Sequence, residues 1–174
     1  MRNDTKERMV FVLMGVSGSG KSAIGRMLAS EIALPFYEGD DLHPKANIAK
    51  MAQSIPLTDD DRKAWLITLA GLISQANRKK GAVLACSALK KNYREILSRY
   101  GQEEVSFIYL KGSRRIIRRR IEERRAHFMP PGLLDSQFDI LEEPEDAITV
   151  EIDAPPERIC SEIIDGLIGR GLLS

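Results

Sequence analysis

Short unbroken apolar runs alternate along this chain with longer stretches in which apolar residues return every three or four positions. Met9–Val16 is apolar without interruption until its glycine, the pattern of a strand buried on both faces. Pro35–Glu38, Ala82–Cys86, Val105–Leu110 and Ala147–Ile152 read as four more strands. Between them lie helical patterns. Ser22–Ala33 carries Ile24, Leu28 and Ile32 on one stripe, and Pro44–Gln53 is a short helix. Thr58–Lys80 holds Trp65, Leu66, Leu69, Leu72 and Ile73, with Thr58 as N-cap and Gly81 after its end. Leu89–Arg99, Ser113–Arg125, Asp135–Leu141 and Pro156–Ile168 complete the set, with Met129-Pro130-Pro131-Gly132 breaking the chain after Arg125. Strand and helix alternate throughout, which predicts an α/β fold with five strands in a mainly parallel sheet.

At 174 residues the chain fits one domain, expected over 9–174 after a polar arm at 1–8. Lys plus Arg number 26 against 25 Asp plus Glu, so global charge gives no case for a nucleic-acid or membrane-surface partner. The longest uncharged stretch, Ala64–Asn77, has 14 residues, short of the ~20 that a membrane-spanning helix needs. Met1–Arg8 is polar and lacks the pattern of a signal peptide. Cys86 and Cys160 sit in apolar surroundings and read as free thiols, so the expected location is the cytoplasm.

The first strand runs into Gly15, Val16, Ser17, Gly18, Ser19, Gly20, Lys21 and Ser22, which satisfies G-x-x-x-x-G-K-[ST] between a strand and a helix. Glycines let successive N–H groups face one concavity, and the helix that follows adds the positive end of its dipole. Lys21 is expected on the β- and γ-phosphates of ATP, and the Ser22 hydroxyl on Mg²⁺. A GTPase would carry D-x-x-G and N-K-x-D, and neither string occurs. The strand ending Leu84-Ala85-Cys86-Ser87 lacks the carboxylate of a motor or transporter ATPase. Small-molecule kinases remain, and their second strand often supplies the acidic group. Here Phe36-Tyr37-Glu38-Gly39-Asp40-Asp41 offers Asp40 as acceptor of a substrate hydroxyl's proton.

These residues resemble the bacterial gluconate kinases. The likeness lies in Gly15–Ser22, Gly39-Asp40-Asp41-Leu42-His43-Pro44, Asn47, Lys50-Met51, Pro56-Leu57, Asp61-Arg62 and Trp65-Leu66. It continues through Cys86–Lys91, Tyr93-Arg94, His127-Phe128-Met129, Leu133-Leu134 and Ser136-Gln137-Phe138, so it spans about residues 9–153. The resemblance implies a P-loop kinase with helices on both faces of the sheet and a small lid at about 120–137. It also implies ATP-dependent phosphorylation of D-gluconate at its 6-hydroxyl, and a homodimer. One departure is Ser54, which stands where the family has Gly.

The segment Arg114–Arg125 holds seven arginines in twelve residues. Arg120 and Arg124 share a helix face and match the family, so they are expected on the transferring phosphoryl group. Arg118–Glu122 and Arg119–Glu123 read as ordinary surface pairs. Gluconate's carboxylate calls for a fixed cation: Arg62 is the first choice, with Lys90 and Arg94 as competitors. His43 is a candidate for a gluconate hydroxyl, and Asp153-Ala154-Pro155-Pro156 for the adenine. Trp65, Phe107 and Tyr109 read as core. Two other readings stay open: a related kinase acting on shikimate, adenylyl sulfate or a nucleoside monophosphate, and a nucleotide sensor without turnover.

Overall fold

The computed structural model describes residues 9–99, 105–123 and 131–174. The elements in chain order are β1 (Val10–Met14), α1 (Lys21–Glu31), β2 (Phe36–Glu38), a single 3₁₀ turn (Gly39–Leu42), α2 (Lys45–Ala52), α3 (Asp59–Asn77) and β3 (Ala82–Ala85). They continue with α4 (Lys91–Ser98), β4 (Val105–Lys111), α5 (Arg114–Glu123), α6 (Pro131–Ile140), β5 (Ile148–Glu151) and α7 (Pro156–Gly169). The five strands lie in the order β2-β3-β1-β4-β5 and every pairing is parallel. β1 is central, with Val10 opposite Ala82 of β3 on one side and Val105 of β4 on the other.

All five residues of β1 are buried, as expected of a strand covered on both faces. Phe11 and Leu13 turn toward Ile24 and Leu28 of α1 and Ile159, Ile163 and Leu167 of α7. Val10, Val12 and Met14 turn the other way, toward Trp65, Leu66, Leu69 and Ile73 of α3 and Tyr93 and Leu97 of α4. Helices therefore cover both faces, and each fully buried Leu or Ile contributes roughly 1.5–3 kcal/mol. All five strands end at the same edge, so the loops beginning at Gly15, Gly39, Cys86, Gly112 and Ile152 open on one crevice.

Two boundaries differ from the sequence pattern by three residues or more. The Pro-Gly segment does not only break the chain: Pro131 opens α6, four residues ahead of the expected Asp135. Proline is tolerated in a first turn, where its missing N–H would have no helical partner. α3 begins as expected, with Thr58 accepting from the Asp61 N–H and Asp61 accepting from the Thr58 N–H in a capping box. It ends at Asn77 rather than at Lys80.

Ser54 follows the end of α2 at φ 62°, in the left-handed region. Its N–H donates to Met51 at 3.0 Å and the Ile55 N–H donates to Lys50 at 2.9 Å, the two bonds of a Schellman stop. A side chain at that position costs about 1–2 kcal/mol, against about 0.5–1 kcal/mol of chain entropy for glycine. Ser54→Gly is therefore expected to stabilise the protein by about 0.5–1 kcal/mol, read as a melting temperature a few degrees higher. A lower melting temperature would overturn this account.

Candidate active site

Gly15, Gly18 and Gly20 have φ of 144°, 81° and 99°, which curls the loop between β1 and α1. Gly18 also meets α5: a Cβ there would lie 2.8 Å from Cγ1 of Ile121. The loop's shape and its contact with the arginine-bearing helix thus depend on the same absent side chain. Gly15 N–H donates to the Ser87 carbonyl at 3.2 Å, tying the loop to the end of β3. Lys21 Nζ donates to the carbonyls of Gly15 and Val16, both at 3.0 Å, so the ammonium folds back over the loop. No side chain caps α1 and no acid stands in its first turn, whereas α3 has a capping box and three first-turn aspartates. The amino end of α1 suits an anionic ligand.

Ser22 Oγ donates to Glu38 Oε2 at 2.5 Å. With its O–H directed at Glu38, the hydroxyl keeps lone pairs for a hard cation, and this oxygen chemistry fits Mg²⁺ shared with nucleotide phosphates. The sequence pattern alone does not single out Glu38. Its place as the last residue of β2, the strand that supplies acidic groups, was the available signal.

Asp40 stands on the 3₁₀ turn with its side chain 70% exposed at the crevice. The turn is anchored behind it. A Cβ on Gly39 would lie 2.4 Å from the Ala85 carbonyl oxygen, so only glycine lets β2 approach β3 here. Trp65 Nε1 donates to the Gly39 carbonyl at 2.8 Å, and the indole stacks on His43 with ring centroids 4.1 Å apart. Trp65 is core, as its pattern suggests, and it also shapes the acceptor side. Burial holds the His43 pKa below its ordinary value; the Asp40 carboxylate pulls upward and the Arg62 guanidinium pushes downward.

Of the three cations considered for a carboxylate, two come together. Arg62 from α3 and Lys90 at the start of α4 each lie 5.6 Å from the Tyr93 ring centroid. Arg62 Nη1 donates to the Leu57 carbonyl and reaches Tyr93 Oη at 3.5 Å. Lys90 Nζ donates to both Asp59 oxygens at 2.9 Å, and Tyr93 Oη donates to the same carboxylate. Those bonds, Tyr93 first and Lys90 second, hold the Asp59 carboxyl below the usual range. Arg94 is placed differently from the expectation. It is 8% exposed, and its Nη1 donates to the carbonyls of Ala88 at 2.9 Å and Leu89 at 3.1 Å. Ala88 has φ 44°, so this guanidinium secures a strained turn after β3.

Arg120 lies at the phosphate loop: its Nη1 is 3.9 Å from where a Cβ on Gly20 would be, and its Nη2 donates to the Ile152 carbonyl. Arg124 and the His127-Phe128-Met129 motif lie outside the described residues, as does the middle of the expected lid. Arg119 pairs with Glu123 as expected, at 3.8 Å. Arg118 does not take Glu122; it reaches Asp135 on α6 at 3.4 Å, beside the Arg114–Asp135 and Arg114–Asp139 bridges. The reason is that α6 runs alongside α5 and offers acids across the gap. From α6, Gln137 grips the loop twice, accepting from Ser17 N–H at 2.7 Å and donating to Ser17 Oγ at 3.0 Å. Ser136-Gln137-Phe138 was visible as a family motif, but one sequence does not say that the amide meets a residue 120 positions away.

The family model described as shikimate kinase matches residues 17–167. Solved structures with low identity share the architecture: the APS kinase of Mycobacterium tuberculosis superposes with TM-score 0.71 at 16% identity over 93% of this chain and 98% of its own. The chain has the fold and phosphate site of a P-loop kinase in the shikimate-kinase group. Nearer relatives are specific. The thermoresistant gluconokinase of Escherichia coli K12 is 43% identical over 95% of this chain and 97% of its own length. The gluconokinase of Gluconobacter oxydans is 42% identical over 88% of each. The crystal structure of a gluconokinase from Sinorhizobium meliloti 1021 superposes with TM-score 0.87 at 39% identity, covering 94% of this chain and 93% of that one. Within the group, this chain belongs to the gluconokinase family.

Proposed function

We propose that this protein transfers the γ-phosphoryl group of ATP to the 6-hydroxyl of D-gluconate, giving 6-phosphogluconate and ADP. The loop Gly15–Ser22 receives the ATP phosphates, and Lys21 leaves its carbonyls to bridge the β- and γ-phosphates. Asp40 takes the proton of the attacking hydroxyl, and His43 hydrogen-bonds that hydroxyl. Arg120, joined by Arg124, neutralises charge that spreads over the moving phosphoryl oxygens. Ser22 would hold Mg²⁺, which would supply charge neutralisation on the phosphates. Residues 9–174 form one catalytic domain, which works as a homodimer in the cytoplasm. Among the described residues no helix is long and apolar enough to cross a membrane.

The observation that carries gluconate is the kinship with gluconokinases at 42% and 43% identity, and the cation pair Arg62 and Lys90 flanking Tyr93 gives the acceptor side a place for its carboxylate. A carboxylate displacing Asp59 from Lys90 would meet both cations. The test is a coupled ADP-release assay over gluconate, idonate, shikimate and adenylyl sulfate, with the phosphoester position read by NMR. Gluconate phosphorylated at C6 is the expected product. Preference for shikimate or adenylyl sulfate, or binding of ATP with no turnover on any acceptor, would reject the assignment.

Arg62 has its own test. Arg62→Lys is expected to lose nearly as much as Arg62→Ala, because an ammonium cannot reproduce the guanidinium's parallel bonds. A charge-assisted bond is worth roughly 1.5–3 kcal/mol, so kcat/KM for gluconate should fall about 10–150-fold while ATP affinity holds. Gluconamide, which lacks the charge, should be almost indifferent to the change. Equal losses with gluconate and gluconamide would transfer the role to Lys90.

A further inference from the structure

Asn47, on α2, is 3% exposed. Its Nδ2 donates to the backbone carbonyl of Asp61 at 2.8 Å. A carbonyl oxygen only accepts, so this bond fixes which end of the amide is nitrogen. The same Nδ2 lies 3.3 Å from Nδ1 of His43. Facing a donor, Nδ1 must present its lone pair, and a neutral imidazole then carries its proton on Nε2. The ring cannot turn away from this arrangement easily, because it stacks on Trp65 with an interplanar angle of 13°. Trp65 is itself tied to Gly39, the neighbour of Asp40.

Nε2 points toward Asp40, 4.0 Å from Oδ1. That is too long for a direct hydrogen bond and suits one oxygen atom placed between the two groups. The His43 side chain is 5% exposed and that of Asp40 is 70% exposed, so the gap is reached from the carboxylate's side. Burial, outweighing the upward pull of Asp40, keeps the imidazole neutral, with Arg62 adding to the downward push.

We infer that Asn47 is a positioning residue for phosphoryl transfer: it holds His43 as the Nε2–H tautomer, so that a hydroxyl lodged between His43 and Asp40 accepts from the imidazole and turns its own proton to the carboxylate. The inference rests on Asp40 being the proton acceptor. With the opposite tautomer, the hydroxyl would donate to His43 and present only lone pairs to Asp40. The tautomer therefore decides which group receives the proton as the oxygen–phosphorus bond forms.

The chain has two histidines, so full-length protein labelled with ¹⁵N-histidine gives two ring spectra, and a His127→Gln variant assigns them. Near neutral pH, His43 is expected to show a protonated Nε2 and a bare Nδ1, a measurement on the unaltered protein that needs no variant to fold. A proton on Nδ1 overturns the inference. Asn47→Ala, which removes the donor, is expected to lower kcat about 10–100-fold with KM for ATP little changed, the usual scale for a group that orients another. In a His43→Ala background, where there is no ring to set, the same Asn47→Ala change should cost little. Equal losses in both backgrounds would make Asn47 a packing residue and overturn the inference. If Asp40→Asn keeps wild-type kcat, the proton acceptor is elsewhere and the inference falls with it, while the histidine spectrum still stands as measured.

Discussion

Lys21→Ala is expected to lower kcat by about 10³-fold or more while the protein stays folded. The ammonium sits at the loop that will hold the nucleotide phosphates, bonded to Gly15 and Val16 by two contacts of 3.0 Å. Under the proposed function, those bonds are exchanged for bonds to phosphate when ATP binds. Charge aimed at the moving phosphoryl group strengthens its hold as the transition state forms, and one such group is worth about 10²–10³ or more. The loop itself is held by other means: Gly15 on Ser87, Ser17 on Gln137 and Gly18 beneath Ile121. The melting temperature should therefore move by only a few degrees, and ATP should still bind, more weakly. Near-normal turnover in a folded Lys21→Ala variant would exclude the phosphate role.

Asp40→Asn should lower kcat by about 10²–10⁴-fold, the worth of a positioned general base, with ATP affinity almost unchanged. The change is nearly isosteric, and the exposed side chain takes no part in holding the 3₁₀ turn, which hangs on Gly39, Trp65 and the Ala85 contact. Loss of activity will thus not be loss of fold. Asp41→Asn and Glu38→Gln are the necessary companions. A mild Asp40→Asn beside a crippling Asp41→Asn would move the base one residue along. Glu38→Gln is expected to act differently, by releasing the Ser22 hydroxyl and weakening the response to Mg²⁺.

What could be read from the sequence had a local physical cause. Five strands and the phosphate loop follow from apolar runs and a contiguous eight-residue pattern, and all appear where the pattern puts them. Thr58 announces the start of α3 through a capping box written in four adjacent residues. Roles that depend on pairing across the chain were hidden. The Asp59–Lys90–Tyr93 cluster joins residues 31 and 34 positions apart, and Gln137 meets Ser17 across 120. Arg94 illustrates the limit from the other side. Its residue type suits an anion, yet packing against α4's own preceding loop turns it onto the carbonyls of Ala88 and Leu89. Pro131 opened a helix because its neighbours supply a helical stripe after it, a continuation that the Pro-Pro-Gly string conceals.

The strand order also governs when the nucleotide site comes into being during synthesis. β1 and β2 emerge first but do not pair with each other; β2 pairs only with β3, and β1 lies between β3 and β4. A nascent chain ending at residue 81 therefore holds two strands with no hydrogen-bonding neighbour, and its glycine-rich loop has no strand edge to lean on. The carbonyl that receives Gly15 N–H belongs to Ser87, and the helix that seats on Gly18 follows β4. Parallel pairing at such separations is slow, since the intervening loop must be ordered before contacts form. Until roughly two thirds of the chain has been made, the motif most conspicuous in the sequence lacks the later residues, Ser87 and Ile121, against which its folded shape rests.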